Sequence, residues 1–177
     1  MNDIKRIAIL GGPGTGKSTL AKNLGKELNL PIYHLDGINF LENWKEVGKE
    51  KRDKIILEKA SQDKWIIEGT YKKTLKFRLE RCDIAIFLDY STFAKIKGIV
   101  KRYIKNKGKI KEEVPGCKER LEYNFFKYTL NFNKKVAKEI KNMLTEFYGK
   151  KKILIFKNKK ELNKWYMIKF NKKISLN

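Results

Sequence analysis

Residues 11–19 read GGPGTGKST, set between a mostly apolar run at residues 4–10 and a stretch whose Leu20, Ala21, Leu24 and Leu28 fall at helical spacing. No other stretch constrains the fold so tightly. A run without polar alternation predicts a strand buried on both faces of a parallel sheet, and the glycines predict a tight passage from that strand into the helix. Gly11, Gly16, Lys17 and Ser18 hold the fixed places of the pattern GxxxxGK[ST]. In such a loop successive backbone N–H groups turn inward and the helix N-terminus adds partial positive charge, which suits phosphate oxygens. Gly11, Gly12, Pro13, Gly14, Thr15, Gly16, Lys17, Ser18 and Thr19 are therefore expected to cradle the phosphates of a nucleotide. Lys17 would reach the β- and γ-phosphates and the Ser18 hydroxyl would ligate Mg²⁺.

Further strands are predicted at residues 32–34, at 65–67 ending in Glu68-Gly69, at 84–88 and at 152–156. Helices are predicted over most of 45–62, with Val47, Ile55, Ile56 and Ala60 as its buried stripe, over 72–81, and from a Ser91 cap to Lys105. Two more helical regions run from the aromatics at 123–132 on to Tyr148 and over 160–170. Between them, KNKGKIKEEVPGCKER at 105–120 has glycines, a proline and dense charge, and reads as a mobile excursion. Five strands alternating with helices over 177 residues imply one three-layer α/β domain with a parallel sheet.

The formal net charge is +22, unevenly spread: residues 1–90 hold 17 basic and 13 acidic groups, residues 91–177 hold 25 and 7. Such a balance suggests a polyanionic partner. Only 6 of the 42 basic residues are Arg, however, and a general lean toward Lys, Asn and Ile gives the same excess without a partner. Nucleic acid is thus admissible for the second half, but a solvated basic face is favoured. Cys82 and Cys117 lack the spacing of a zinc site or a disulfide framework, which fits a reducing, cytoplasmic setting. No window has the apolar length of a membrane span, and no signal peptide is recognisable, so no membrane association is expected.

A phosphate loop does not name a reaction. No guanine-reading NKxD follows the fourth or fifth strand, which continue into DYST and KNKK, and a motor or helicase core is ordinarily longer. A small kinase remains, with an acceptor-binding segment at about 36–63 and a lid at about 105–120. Three strand-end acids are candidates for Mg²⁺: Asp36 in YHLDGINF, Glu68 in WIIEG and Asp89 in IAIFLD. In small P-loop kinases the third strand in sequence usually carries this acid and lies beside the first, which favours Glu68 and leaves Asp89 as a cap near the next helix. Asp36 is placed to orient or deprotonate an accepting hydroxyl or to help hold Mg²⁺. His34, the lone histidine, reads as a packed side chain. Arg102 and Arg120 bracket the lid and suit cations that close over the γ-phosphate. The aromatics from Tyr123 to Phe132 are expected in the core rather than as a stacking platform.

The stretches GGPGTGKSTLAKNLGKELNLPIYHLD and WIIEGTYKKTLKFRLERCDIAIFLD, with GCKERLEYNFFKYTLNF further on, resemble the adenylate-kinase-related P-loop proteins known as DNA topology modulation proteins. The specific part is the combination of YHLD, WIIEG-Y, RLERCD and GC-E-L. The resemblance implies a nucleoside-monophosphate-kinase-like fold with sheet order 2-3-1-4-5, ATP as donor and a lid, but no defined acceptor. Where adenylate kinases carry DGFPR this chain has EGTYKK at 68–73, without the arginine that grips the acceptor nucleotide, and Arg78 and Arg81 are the candidates to replace it. Three functions stay open on the sequence: a phosphotransferase acting on a nucleotide, nucleoside or other small acceptor, an ATP-gated DNA-associating regulator, and an ATPase without an acceptor.

Overall fold

The computed structural model describes residues 4–174. In chain order they form β1 (Arg6–Gly11), α1 (Lys17–Leu28), β2 (Ile32–His34), α2 (Leu35–Asn39), α3 (Lys49–Ala60), β3 (Trp65–Glu68), α4 (Leu75–Arg81), β4 (Ile84–Leu88), α5 (Thr92–Asn106), α6 (Tyr123–Phe132), α7 (Val136–Thr145), β5 (Lys152–Phe156) and α8 (Lys159–Phe170). Short 3₁₀ turns lie at Glu42–Trp44 and Lys72–Thr74.

The strands are all parallel, in the order β2-β3-β1-β4-β5. Successive side chains of β1 enter two different cores, as the two-residue repeat of a strand requires. Ala8 and Leu10 join Ile67, Ala85 and Phe87 under α2, α3, α4, α6 and α7, whereas Ile7 and Ile9 join Ile66, Ile86 and Leu88 under α1 and α8. Helices on both faces are why the strands read as continuous apolar runs. The register pairs Ile9 with Glu68 and Gly11 with Leu88, so the loop after β1 opens between the ends of β3 and β4.

α5 lies directly against that loop. A Cβ on Gly98 would stand 2.1 Å from the Gly14 carbonyl oxygen, and one on Gly14 would stand 2.2 Å from the Lys95 carbonyl oxygen. By propensity Gly98 only weakens a helix; in the fold it is what allows the loop to rest on α5.

The structure corrects several local expectations. The helix expected over most of 45–62 is α3, and it starts only at Lys49 because Phe40 and Glu46 bridge antiparallel around the 3₁₀ turn. Its buried stripe is Asp53, Ile56 and Ala60, with Val47 outside the helix. The helical region from 123 onward is two helices, and of its early aromatics only Phe132 is fully buried, while Tyr123 is 80% exposed. The excursion after α5 does not run free. Ile110 and Lys118 bridge antiparallel, Val114 and Cys117 are buried, and the tip docks on the turn at Glu42–Trp44. There the Asn43 N–H donates to the Gly116 carbonyl at 3.2 Å, and the Trp44 indole N–H donates to the Lys118 carbonyl at 3.1 Å. The Cys117 thiol accepts from the Trp44 N–H and donates to the Leu41 carbonyl, each at 3.2 Å. Lys22 of α1 pairs with Glu112 and Glu113 at 2.7 and 2.8 Å.

Candidate active site

The glycine loop is closed on itself. The Thr15 hydroxyl and the Lys17 ammonium both donate to the Gly12 carbonyl, at 2.8 and 3.1 Å. α1 starts at Lys17 itself, because Gly16 takes the left-handed conformation that turns the chain into the helix (φ 88°). This leaves Ser18 in the first turn, facing the end of β3.

At that end Glu68 is 5% exposed. Its Oε1 accepts from the Ser18 hydroxyl at 2.9 Å and lies 2.8 Å from His34 Nδ1. Burial alone would raise this carboxyl, but the His34 hydrogen bond, the Lys17 charge and the Ser18 hydroxyl outweigh it and hold Glu68 below the usual carboxylate range. The result is a buried anion beside a hydroxyl at the mouth of the phosphate loop. Two hard oxygen donors in that position fit Mg²⁺, which prefers a few protein oxygens and keeps waters and phosphates for the rest. Among the described residues no cluster of three or more His, Cys, Asp or Glu side chains offers a self-sufficient metal cage.

Asp36 sits in the first turn of α2, past the end of β2. It accepts from the Tyr71 hydroxyl at 3.1 Å. The Tyr71 ring carries the Arg52 guanidinium 4.8 Å from its centroid, and Arg52 in turn donates to Asn39 and Asp53. Burial and then the Asp36 charge push the Tyr71 hydroxyl up, so it stays a donor. From the excursion side, Lys111 and Arg120 both lie over the Trp44 ring, at 5.2 and 4.5 Å. Arg102 pairs with Glu119 at 3.0 Å, and Arg120 with Glu122 at 3.0 Å. Burial and then the Arg102 charge pull the Lys111 ammonium down.

The phosphate loop, Asp36, Glu68, Arg102 and Arg120 all line one chamber of about 1760 Å³. Gly12 is behind it rather than on its wall. Arg102 falls within α5 rather than at its end. Asp89 is elsewhere: its carboxylate is held by Lys141 and Lys157, and α5 is capped by Ser91, whose hydroxyl accepts from the Ala94 N–H. Asp89 is thus neither beside Ser18 nor a cap. Arg78 is fully buried and donates to the carbonyls of Gly69, Thr70 and Tyr71, while Arg81 donates to those of Ala60 and Ser61. Both are committed to backbone. His34, expected as a packed side chain, is bonded to Glu68. Tyr71, Arg52 and Trp44 had no role from sequence; the scarcity of arginine was the one available signal for Arg52.

A parallel sheet in the order 2-3-1-4-5, with a glycine loop after its central strand and helices on both faces, defines the P-loop fold of the nucleoside-monophosphate-kinase type. Comparison with known proteins agrees with that class. The model of the ATPase family associated with various cellular activities (AAA) matches residues 7–89, from β1 to the end of β4. Adenylate kinase 2 of a Synechocystis species is 32% identical over 117 residues, covering 51% of this chain and 63% of that protein. Shikimate kinase of Blochmanniella floridana is 29% identical over 97 residues, covering 48% of this chain and 51% of that protein. The chain therefore spans less than two thirds of either curated relative. Among solved structures, shikimate kinase from Acinetobacter baumannii in complex with shikimate superposes with a TM-score of 0.59 at 14% identity, covering 98% of this chain and 97% of that one. The last likeness concerns the fold. No helix among the described residues is long and apolar enough to cross a membrane.

Proposed function

We propose that the protein is an ATP-dependent phosphotransferase that moves the γ-phosphoryl group of ATP to a small acceptor. The observation that carries the reading is the single chamber lined at once by Lys17, Ser18 and Glu68, by Asp36, by Arg102 of α5 and by Arg120 of the excursion. Its volume of about 1760 Å³ exceeds what one small ligand fills, roughly 300–1,000 Å³, and suits a donor and an acceptor together. A plain ATPase has no use for the second half of that space.

In this reading ATP binds along the glycine loop, and Lys17 leaves the Gly12 carbonyl for the phosphates. Ser18 and Glu68 would hold Mg²⁺, which would supply neutralisation of charge on the phosphate oxygens. Asp36 orients the acceptor hydroxyl and takes its proton as the acceptor oxygen bonds to the γ-phosphorus and the bond to the bridging oxygen of ADP breaks. The segment at about 105–120 acts as the lid and brings Arg120, while Arg102 faces it from α5, so that the two cations close over the γ-phosphate. The loss of the acceptor-gripping arginine from EGTYKK, together with the commitment of Arg78 and Arg81 to backbone carbonyls, argues against AMP and favours an acceptor read by Asp36, Tyr71 and Arg52. The test is ADP formation in Mg²⁺ and ATP against a panel of nucleosides, nucleotides and small hydroxy acids or polyols. One class should accelerate it, and both Lys17→Ala and Asp36→Asn should abolish the acceleration. A rate indifferent to every acceptor would refute the proposal.

A further inference from the structure

α5 carries a lysine that the site above does not use. Lys95 is 1% exposed, and among the described residues no carboxylate lies within ion-pair distance of its ammonium. Its Nζ donates to Asn133 Oδ1 just beyond α6 and stands 4.7 Å from the centre of the Phe132 ring. Asn133 is fixed in turn, donating to the Tyr90 carbonyl and to the Thr92 hydroxyl at 3.3 Å each. The stem of Lys95 braces the phosphate loop from behind: a Cβ on Gly12 would stand 2.6 Å from Lys95 Cδ. Asp89, the one carboxylate whose charge Lys95 feels, is already held by Lys141 and Lys157. Burial above all, with the Lys141 and Lys17 charges added and Asp89 opposing, pulls the Lys95 ammonium down to about 8.

A buried cation without a counter-ion is unfavourable, and an apolar side chain of similar length would fill the same space without that cost. The cost is offset when a polyanion arrives beside it. We infer that Lys95 is a positioning residue for the nucleotide: tied to Asn133 and pressed under Gly12, its buried charge strengthens the phosphate loop's hold on anions from behind. Gly12 stands between it and the chamber, so it acts on the phosphates through the loop. Through Asn133 it also links the loop to the helices that follow the lid. The inference rests on reading the loop as an ATP site but not on any acceptor.

The experiment is the dissociation constant of Mg·ATP by titration calorimetry, with the melting temperature of the ligand-free protein. Lys95→Met should weaken ATP binding about tenfold, the order expected of one partly screened charge, and should leave the ligand-free melting temperature unchanged or raised. Wild-type affinity should fall as the pH rises from about 8 to about 9.5, because the protonated lysine favours the polyanion and the ligand-free protein gives up that proton first. Lys95→Met should lack that decline. The other charged or titratable groups around Lys95 are Lys17 of the loop, Asp89 and Tyr90 of the β4–α5 turn, Lys141 of α7 and, through Asp89, Lys157 after β5. Burial pushes the Tyr90 hydroxyl above this window, and Lys17→Ala should remove binding at every pH. A Lys95→Met protein that binds ATP within twofold of wild type, with the same pH profile, overturns the inference. If that variant does not fold, a flat wild-type profile across the window overturns it and a falling one upholds it. Lys95-dependent ATP binding without transfer to any acceptor would leave the inference standing and remove the phosphotransferase reading, whereas a wild type that binds no ATP would remove both.

Discussion

Replacing Gly98 by Ala should harm the protein, although helix propensity says the opposite. In the interior of an exposed helix the change stabilises by about 1 kcal/mol. Here the new methyl carbon would lie 2.1 Å from the Gly14 carbonyl oxygen and 3.0 Å from the Gly14 carbonyl carbon. Both contacts are backbone, so no side chain can swing aside, and the loop must retreat from α5 by about 1 Å to restore ordinary contact. Overpacking of this kind costs about 1–3 kcal/mol, which leaves a net loss of up to about 2 kcal/mol. At roughly 2–4 °C per kcal/mol for a domain of this size, the melting temperature should fall by up to about 8 °C. A displacement of about 1 Å in the phosphate loop should also weaken ATP binding by about 10–100-fold. Thermal unfolding and ATP titration of Gly98→Ala check both numbers. A variant that melts higher than wild type and binds ATP unchanged would refute the packing argument.

Other perturbations separate the parts of the site. Asp36→Asn should lower acceptor-dependent turnover by about 10²–10³-fold while ATP affinity, measured by titration, stays within about twofold. Glu68 is held below its ordinary pKa, so its stabilising contribution is complete above the unfolded value near 4.5 and is lost as the pH falls through the folded one. The stability gap between wild type and Glu68→Gln, read from urea unfolding, should therefore hold steady down to about pH 5 and shrink below it. Trp44→Ala removes the ring beneath Lys111 and Arg120 and the indole bond to Lys118, so the lid should close less well. Acceptor-independent release of inorganic phosphate from ATP should rise severalfold, and an unchanged release would count against the lid's part in excluding water.

Much of this architecture is written in local signals. The central strands are legible because helices cover both faces of the sheet, so β1, β3 and β4 read as nearly continuous apolar runs. The glycine loop is legible because its chemistry is carried by contiguous residues. What lies outside local reach is pairing across the chain. Glu68 and Asp89 both end apolar runs, and the register that sets Ile9 beside Glu68 is what puts one of them, and not the other, next to Ser18. Tyr71 meets Asp36 across 35 residues, and Trp44 meets Cys117 across 73. α2 spans five residues including a glycine, too few to show a period, and it forms where the chain turns at the end of β2. Lys95 looks like any other basic residue on a lysine-rich helix until Asn133 and Gly12 are seen to enclose it.

The central claim is transfer of phosphate to an acceptor rather than to water. The most direct test follows the fate of the γ-phosphoryl group of labelled ATP by ³¹P spectroscopy or mass spectrometry, with the acceptor class that most accelerates ADP formation. The account predicts phosphorylated acceptor in stoichiometric amount with ADP and little inorganic phosphate. ADP matched by inorganic phosphate, with the acceptor recovered unmodified, would contradict it.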